Sequence, residues 1–339
     1  MENHKVGRQS FAFSAAPVIT AWSSAVGKKE GEGPLGMGFD AVCRDPLLGM
    51  KTWEQAEQAL QKMVLRRMLR KAELRGEELD LVFSGDLLNQ CIASSFPLVN
   101  TGIPHVGLYG ACSTMAEALL LSAMAVGSGC AGRAAAISSS HFCSCERQYR
   151  FPLGYGGQRT PFSQWTVTGA GAALVEPRGR GPRITGCTVG TVVSLGIREV
   201  SNMGAAMAPA ALSTVKAHFK DFGTVAEDYD LIVTGDLGQL GKELLMELAH
   251  REGVSLGGKL ADCGCMIFDN TWQDVGAGGS GAGCSAAVLC SEILRKLQSG
   301  ELKKILFCGT GALLSPLSSQ QGLPIPGICH AVCLEAPEN

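Results

Sequence analysis

The chain has 339 residues, 46% of them hydrophobic and only 18% charged, with a formal net charge of −2. That length can bury a large core. The near-neutral balance, read as carrying no basic stripe or arginine-rich tail, predicts no nucleic-acid partner.

The opening residues, MENHKVGRQSFAFSAAPVITAWSS, show neither the apolar run nor the cleavage pattern of a signal peptide. No stretch reaches the roughly 18–20 apolar residues that a bilayer span needs. A soluble chain is expected, held at any membrane by partners. The 14 cysteines then fit a reducing compartment better than a disulfide scaffold. The pairs Cys143/Cys145 and Cys263/Cys265 lack the spacing of zinc ligands, so no metal and no cofactor is expected, and the thiols read as small buried groups.

Next along the chain, DLVFSGDLLNQ (80–90) reads as a buried strand opening into a loop at Asp86. YGACSTMAEALLLSAMAVG (109–127) is a glycine turn carrying Cys112 into an apolar helix. RAAAISSS (133–140) is another buried strand, and GAGAALVEP (169–177) an edge-like closing strand. All four segments recur in order after the connector PRGRGPR (177–183): DLIVTGDLGQL (230–240), GCSAAVLCSEILRK (283–296), KKILFCGTGA (303–312) and ICHAVCLEAP (328–337). The repeat predicts two α/β halves, residues 1–180 and 181–339, each with a mainly parallel sheet. A pseudo-two-fold relation would bring Asp86, Asp236 and the turns of Cys112 and Cys284 to one cleft.

A cysteine at a helix start has access to free N–H groups and a positive partial charge. Acyl transfer needs more: a base and oxyanion donors. The duplicated chain with its helix-opening cysteine resembles the thiolase-like fold of thiolases, ketoacyl-ACP synthases and chalcone synthases. That resemblance implies two duplicated βαβ halves in a five-layered α-β-α-β-α structure. It also implies catalytic His or Asn residues in second-half loops. There the chain has Asp236 and Leu237 in TGDLGQLGKEL, and small residues in GAGGSGAGCSAA. Cys284 sits where a thiolase has its second cysteine, without that family's adjacent His. His218, His250 and His330 fall in helix or strand bodies. Loss of the chemistry is expected, with Cys112 left as a pocket wall.

Longer strings are similar to one family across nearly the whole chain: KKEGEGPLG, SGDLLNQ, SSSH…ERQYRFPLGYGGQ, HFKDFGTVAEDYDLIVTGDLG and GGSGAGCSA. They resemble the stage V sporulation protein AD family. The resemblance implies a non-enzymatic subunit that binds dipicolinic acid (pyridine-2,6-dicarboxylate), free or as its calcium chelate. It would act with membrane-embedded spore transport proteins, in the developing spore and peripherally at the inner spore membrane, as a homodimer or in a hetero-complex. A flat dicarboxylate asks for anion donors and a slot. The candidates are the turn at Cys112 and Ser113, the hydroxyls of Ser280 and Ser285 beside Cys284, and the cations His141, Arg147 and Arg150. Tyr149 or Tyr155 would flank the ring. Asp86 and Asp236 read as loop caps or as calcium ligands, capping being favoured. Two other readings stand beside this one: an acyltransferase with Cys112 as nucleophile, and a structural or plug subunit with a vestigial pocket. By analogy with the fold, strand AAISSSH (135–141) is the candidate dimer edge.

Overall fold

The structure, a computed structural model, describes residues 4–149 and 159–338. Ten strands carry it. In the first half these are β1 (Val18–Gly27), β2 (Leu81–Gly85), β3 (His105–Leu108), β4 (Ala134–Ser140) and β5 (Gly169–Glu176). The second half supplies β6 (Arg183–Thr188), β7 (Leu231–Thr234), β8 (Leu260–Asp262), β9 (Lys304–Ala312) and β10 (Gly327–Glu335). They form one hydrogen-bonded path, β8-β7-β9-β10-β6-β1-β5-β4-β2-β3. Read outward from the β6–β1 junction, the two sets of five follow the same order, so all four matched sequence segments occupy equivalent places.

Within each set one strand runs against the other four. β5 is antiparallel to both β1 and β4, and β10 to both β6 and β9. The "closing" strands are therefore interior, not edge-like, because β1 and β6 each add a further strand beyond them. AAISSSH is interior too: β4 is paired on both sides, by β2 and β5. It offers no free edge for a dimer; β3, at the end of the path, does.

The halves meet at a corner. Only Arg183 and Val18 pair between β6 and β1, flanked by Ile19 N–H to Pro182 O and Ile184 N–H to Pro17 O, both 2.8 Å. From this corner the sheets fold over two helices, α2 (Thr114–Gly127) and α6 (Ala282–Val288, continued through a π-helical turn at Leu289–Ile293). Every residue of Ala282–Val288 is buried, as expected of a helix apolar all round. Met115, Leu119, Ala286 and Leu289 join Phe307, Val332 and Val175 in one core spanning both sheets. Outside lie α1 (Trp53–Lys71) on the first sheet, and α4 (Met203–Phe222) with α5 (Gly238–Arg251) on the second; the short α3 (Phe142–Tyr149) follows β4. The order α-β-α-β-α follows. α1 starts at Thr52, whose hydroxyl accepts from Gln55 N–H. Its outer face carries Lys62, Arg66, Arg67 and Arg70, so a basic stripe exists after all; it escapes notice in a chain of net charge −2.

Small residues let the layers approach. A Cβ on Gly283 would lie 2.2 Å from Gly169 O, and one on Gly171 2.3 Å from Ala286 O. The glycine-rich run before α6 thus seats that helix against the first half's strands.

Candidate functional site

The strand β3 ends at Leu108, and a turn at Ala111–Ser113 delivers Cys112 to the start of α2. Ala111 holds φ at 53°, a left-handed conformation that non-glycine residues rarely take and that clusters at functional sites. The turn rests on β9 of the other half, where a Cβ on Gly311 would lie 2.8 Å from Gly110 O. Ser113 donates to Gly110 O at 2.6 Å and so braces the turn from behind.

A cavity of about 60 Å³ opens beside the thiol. Ala111, Cys112, Leu87, Cys145, Glu146 and Tyr149 wall it from the first half, with Gln164 and Thr166 from the segment before β5. Val200, Met203, Ser280, Ala312 and Leu314 close it from the second. The segment before β5 is strapped across the junction: Trp165–Thr166 pairs in parallel with Gly279–Ser280. The Gln164 amide donates to Asp236 O at 2.7 Å and Gly279 O at 2.9 Å.

Asp236 lies wholly buried under this floor. Its carboxylate accepts from Gly281 N–H (2.9 Å), the Ser280 hydroxyl (3.1 Å) and the Thr310 hydroxyl (3.0 Å). The buried Cys112 thiol is its neighbour across the junction, close enough to feel its charge. Burial outweighs these donors and pushes the carboxyl up to about 6. The same burial, with the negative charge of Asp236 next to it, pushes the thiol well above its ordinary range. A nucleophilic cysteine is the reverse case, a thiolate drawn down by a cation or a helix start. None of the six histidines lines the cavity.

The charged partner at the cavity wall is Glu146, 6% exposed. Arg159 donates to it at 2.9 Å and to Gln164 O at 2.9 Å. Its guanidinium lies 4.7 Å from the Trp165 ring centroid and 5.2 Å from that of Phe142. The two rings stack at 4.1 Å. Sequence pattern gives no signal for Arg159 and Gln164, because the strap that carries them has no helical or strand period.

Of the predicted residues, Cys112, Ser280 and Tyr149 line the cavity, the last with its hydroxyl donating to Leu87 O at 2.6 Å. Ser113, Cys284 and Ser285 are buried behind the wall and do not line it. Two of the expected cations lie elsewhere. His141 spends Nε2 on Pro46 O (2.8 Å) and Nδ1 on Cys143 N–H (3.2 Å), in a separate recess with Lys28 and Lys29. Arg147 pairs with Glu54 and lies over Trp53. Arg150 and Tyr155 fall outside the described residues. Asp86 is a loop cap: it accepts from Leu88 N–H (2.8 Å), Ser94 N–H (2.8 Å) and the Ser94 hydroxyl. Among the described residues no cluster of three or more metal-ligating side chains occurs, and no helix is long and apolar enough to cross a membrane.

Residues 7–335 match the family described as stage V sporulation protein AD. A protein of that name from Bacillus subtilis (strain 168) is 41% identical over 329 residues, 97% of each chain. Among solved structures, 3-oxoacyl-[acyl-carrier-protein] synthase III from Aquifex aeolicus is similar with a TM-score of 0.56 at 15% identity, covering 94% of this chain and 100% of that one. OleA from Xanthomonas campestris is similar with a TM-score of 0.56 at 16% identity, covering 98% and 100%. At such identities these synthases share the thiolase-like fold with this chain.

Proposed function

The chain belongs to the stage V sporulation protein AD family, and from that premise we propose that its cavity binds a ligand without turning it over. The ligand proposed is dipicolinic acid, free or as its calcium chelate. The chain would serve as the binding subunit of a spore inner-membrane assembly that moves this compound, attached peripherally beside membrane-embedded partners.

The observation that carries the non-enzymatic part is that Cys112 lies buried at a cavity wall that no histidine lines, with the charge of Asp236 beside it. Burial and the neighbouring negative charge both raise the thiol, so it keeps its proton, and no histidine stands at the cavity to take it. What remains is a slot across the junction of the halves, with a thiol, a serine hydroxyl and a tyrosine ring on its walls. Among the described residues, Arg159, one hydrogen bond behind the lining Glu146, is a cation near enough to compensate a ligand carboxylate.

Calorimetric titration with dipicolinate, with and without calcium, tests the reading, pyridine-3,5-dicarboxylate serving as the mismatched isomer. Saturable binding of the 2,6-isomer is expected, weakened in Cys112→Ala at an unchanged melting temperature and in Arg159→Gln. No saturable binding under either condition overturns it. Intact mass after incubation with acyl-CoA tests the enzymatic alternative, for which a stable adduct on Cys112 would be the deciding result.

A further inference from the structure

A second concavity among the described residues lies apart from the Cys112 cavity. It is a groove of about 900 Å³ along the outer face of α1, closed by the turns at Gly49–Lys51 and Phe96–Pro97. Lys51, Lys62, Arg66, Arg67 and Arg70 line it, and no Asp or Glu does. Lys62, Arg66 and Arg70 recur every fourth residue, so they share one helix face over about 12 Å of rise. Among the described residues none of the five side chains has an ion-pair partner, although most other arginines of the chain are paired. Around them stand exposed apolar side chains: Phe96 at 58%, Met50 at 42% and, beside the groove, Val99 at 61%.

We propose that this face docks the chain onto an anionic phospholipid bilayer. The chain's net charge is −2, so everything outside the groove is net acidic and this is the face that an anionic surface attracts. Unpaired cations on long, flexible stems suit a fluid field of headgroups, and the exposed Phe96, Met50 and Val99 suit the apolar boundary beneath them. An acidic peptide would match the cations and leave those three side chains without a partner. Because no helix among the described residues can span a bilayer, attachment through this surface would be peripheral and reversible. The inference deepens the membrane-side part of the function proposed above and uses none of the cavity's residues.

Sedimentation of the full chain with vesicles is the test. It should bind vesicles of phosphatidylcholine carrying one-third phosphatidylglycerol, not pure phosphatidylcholine, and lose binding as salt rises. Each basic residue near such a surface contributes about 1 kcal/mol, so Arg66→Gln with Arg70→Gln should lower partitioning about thirty-fold. Arg251→Gln, on α5, should leave it unchanged, and all variants should keep the parent melting temperature. Absence of binding to the anionic vesicles overturns the proposal, as does a double variant that partitions like the parent. If soluble polyglutamate is bound and vesicles are not, the groove receives an acidic protein segment instead. Dipicolinate titration of the same double variant separates the two proposals: the affinity should not change, whatever the vesicles show.

Discussion

Asp236→Asn tests the electrostatics of the site most directly. The carboxyl is fully buried and raised from 3.8 to about 6, with burial as the main cause. An acid raised on folding holds its proton more tightly in the native state, so stability falls as pH rises through the window between the two values. Well below 3.8 the group is neutral in both states and contributes nothing; well above 6 the full cost is present. A shift of this size corresponds to about 3 kcal/mol. Between about pH 4.5 and 7.5, linkage puts the change near 2 kcal/mol.

Asparagine cannot ionise, so it removes this pH-dependent part. It also accepts hydrogen bonds through one oxygen, where Asp236 takes donors on both. The lost acceptance lowers the variant's stability by about 1–3 kcal/mol, but that offset does not vary with pH. Urea unfolding of both proteins across this range should therefore show the parent losing about 2 kcal/mol relative to the variant as pH rises. Parallel curves, or a gap that moves the other way, would refute the assignment of a buried, raised carboxyl at this position.

Other consequences are simpler to check. Gly283→Ala forces a Cβ to within 2.2 Å of Gly169 O and 2.7 Å of Ser140 N, and should destabilise by about 3 kcal/mol in denaturant titration, since neither backbone can yield freely. Iodoacetamide at mildly alkaline pH should label exposed Cys130 while Cys112 stays unmodified by mass spectrometry. Fast labelling of Cys112 would mean its thiolate is accessible. Glu30 is buried, accepts from Thr168 N–H at 2.9 Å, and is pushed up to about 7 by that burial. Stability is lost as pH rises from 4.5 to 7, so Glu30→Gln should unfold at higher temperature than the parent near pH 8 and lose that advantage near pH 5.

The architecture was legible because a duplication is self-referential: DLVFSGD and DLIVTGD confirm each other as strand-to-loop segments, and each matched pair landed in equivalent places. Sequence could not show that the closing strands are interior, since that depends on β1 and β6 lying beyond them. The cavity was half legible. Cys112 and Ser280 followed from turn chemistry, whereas His141 and Arg147 were chosen for charge alone. Both turn to other partners: Arg147 pairs with Glu54, and His141, with Nδ1 accepting from Cys143 N–H, is a neutral ring whose Nε2 faces Pro46 O. The basic stripe on α1 was readable from the spacing of Lys62, Arg66 and Arg70, but the overall charge concealed it.

The duplication also accounts for there being one cavity at these turns and not two. Asp86 and Asp236 follow equivalent strands, yet their oxygens go to different places. Asp86 closes its own loop through Leu88 and Ser94. Asp236 instead reaches Ser280 and Gly281 at the start of α6 and Thr310 on β9. The counterpart thiol, Cys284, faces no such space: a Cβ on Gly279 would lie 3.3 Å from its sulfur. Around Cys284 the second half's glycine run packs closely instead, a Cβ on Gly279 also lying 2.8 Å from Ile267 and 3.1 Å from Val167. Cys112 keeps its position at a strained helix start, but burial and the carboxylate charge beside it hold the thiol in its protonated, unreactive form. A binding wall, rather than a reactive centre, is what that chemistry leaves.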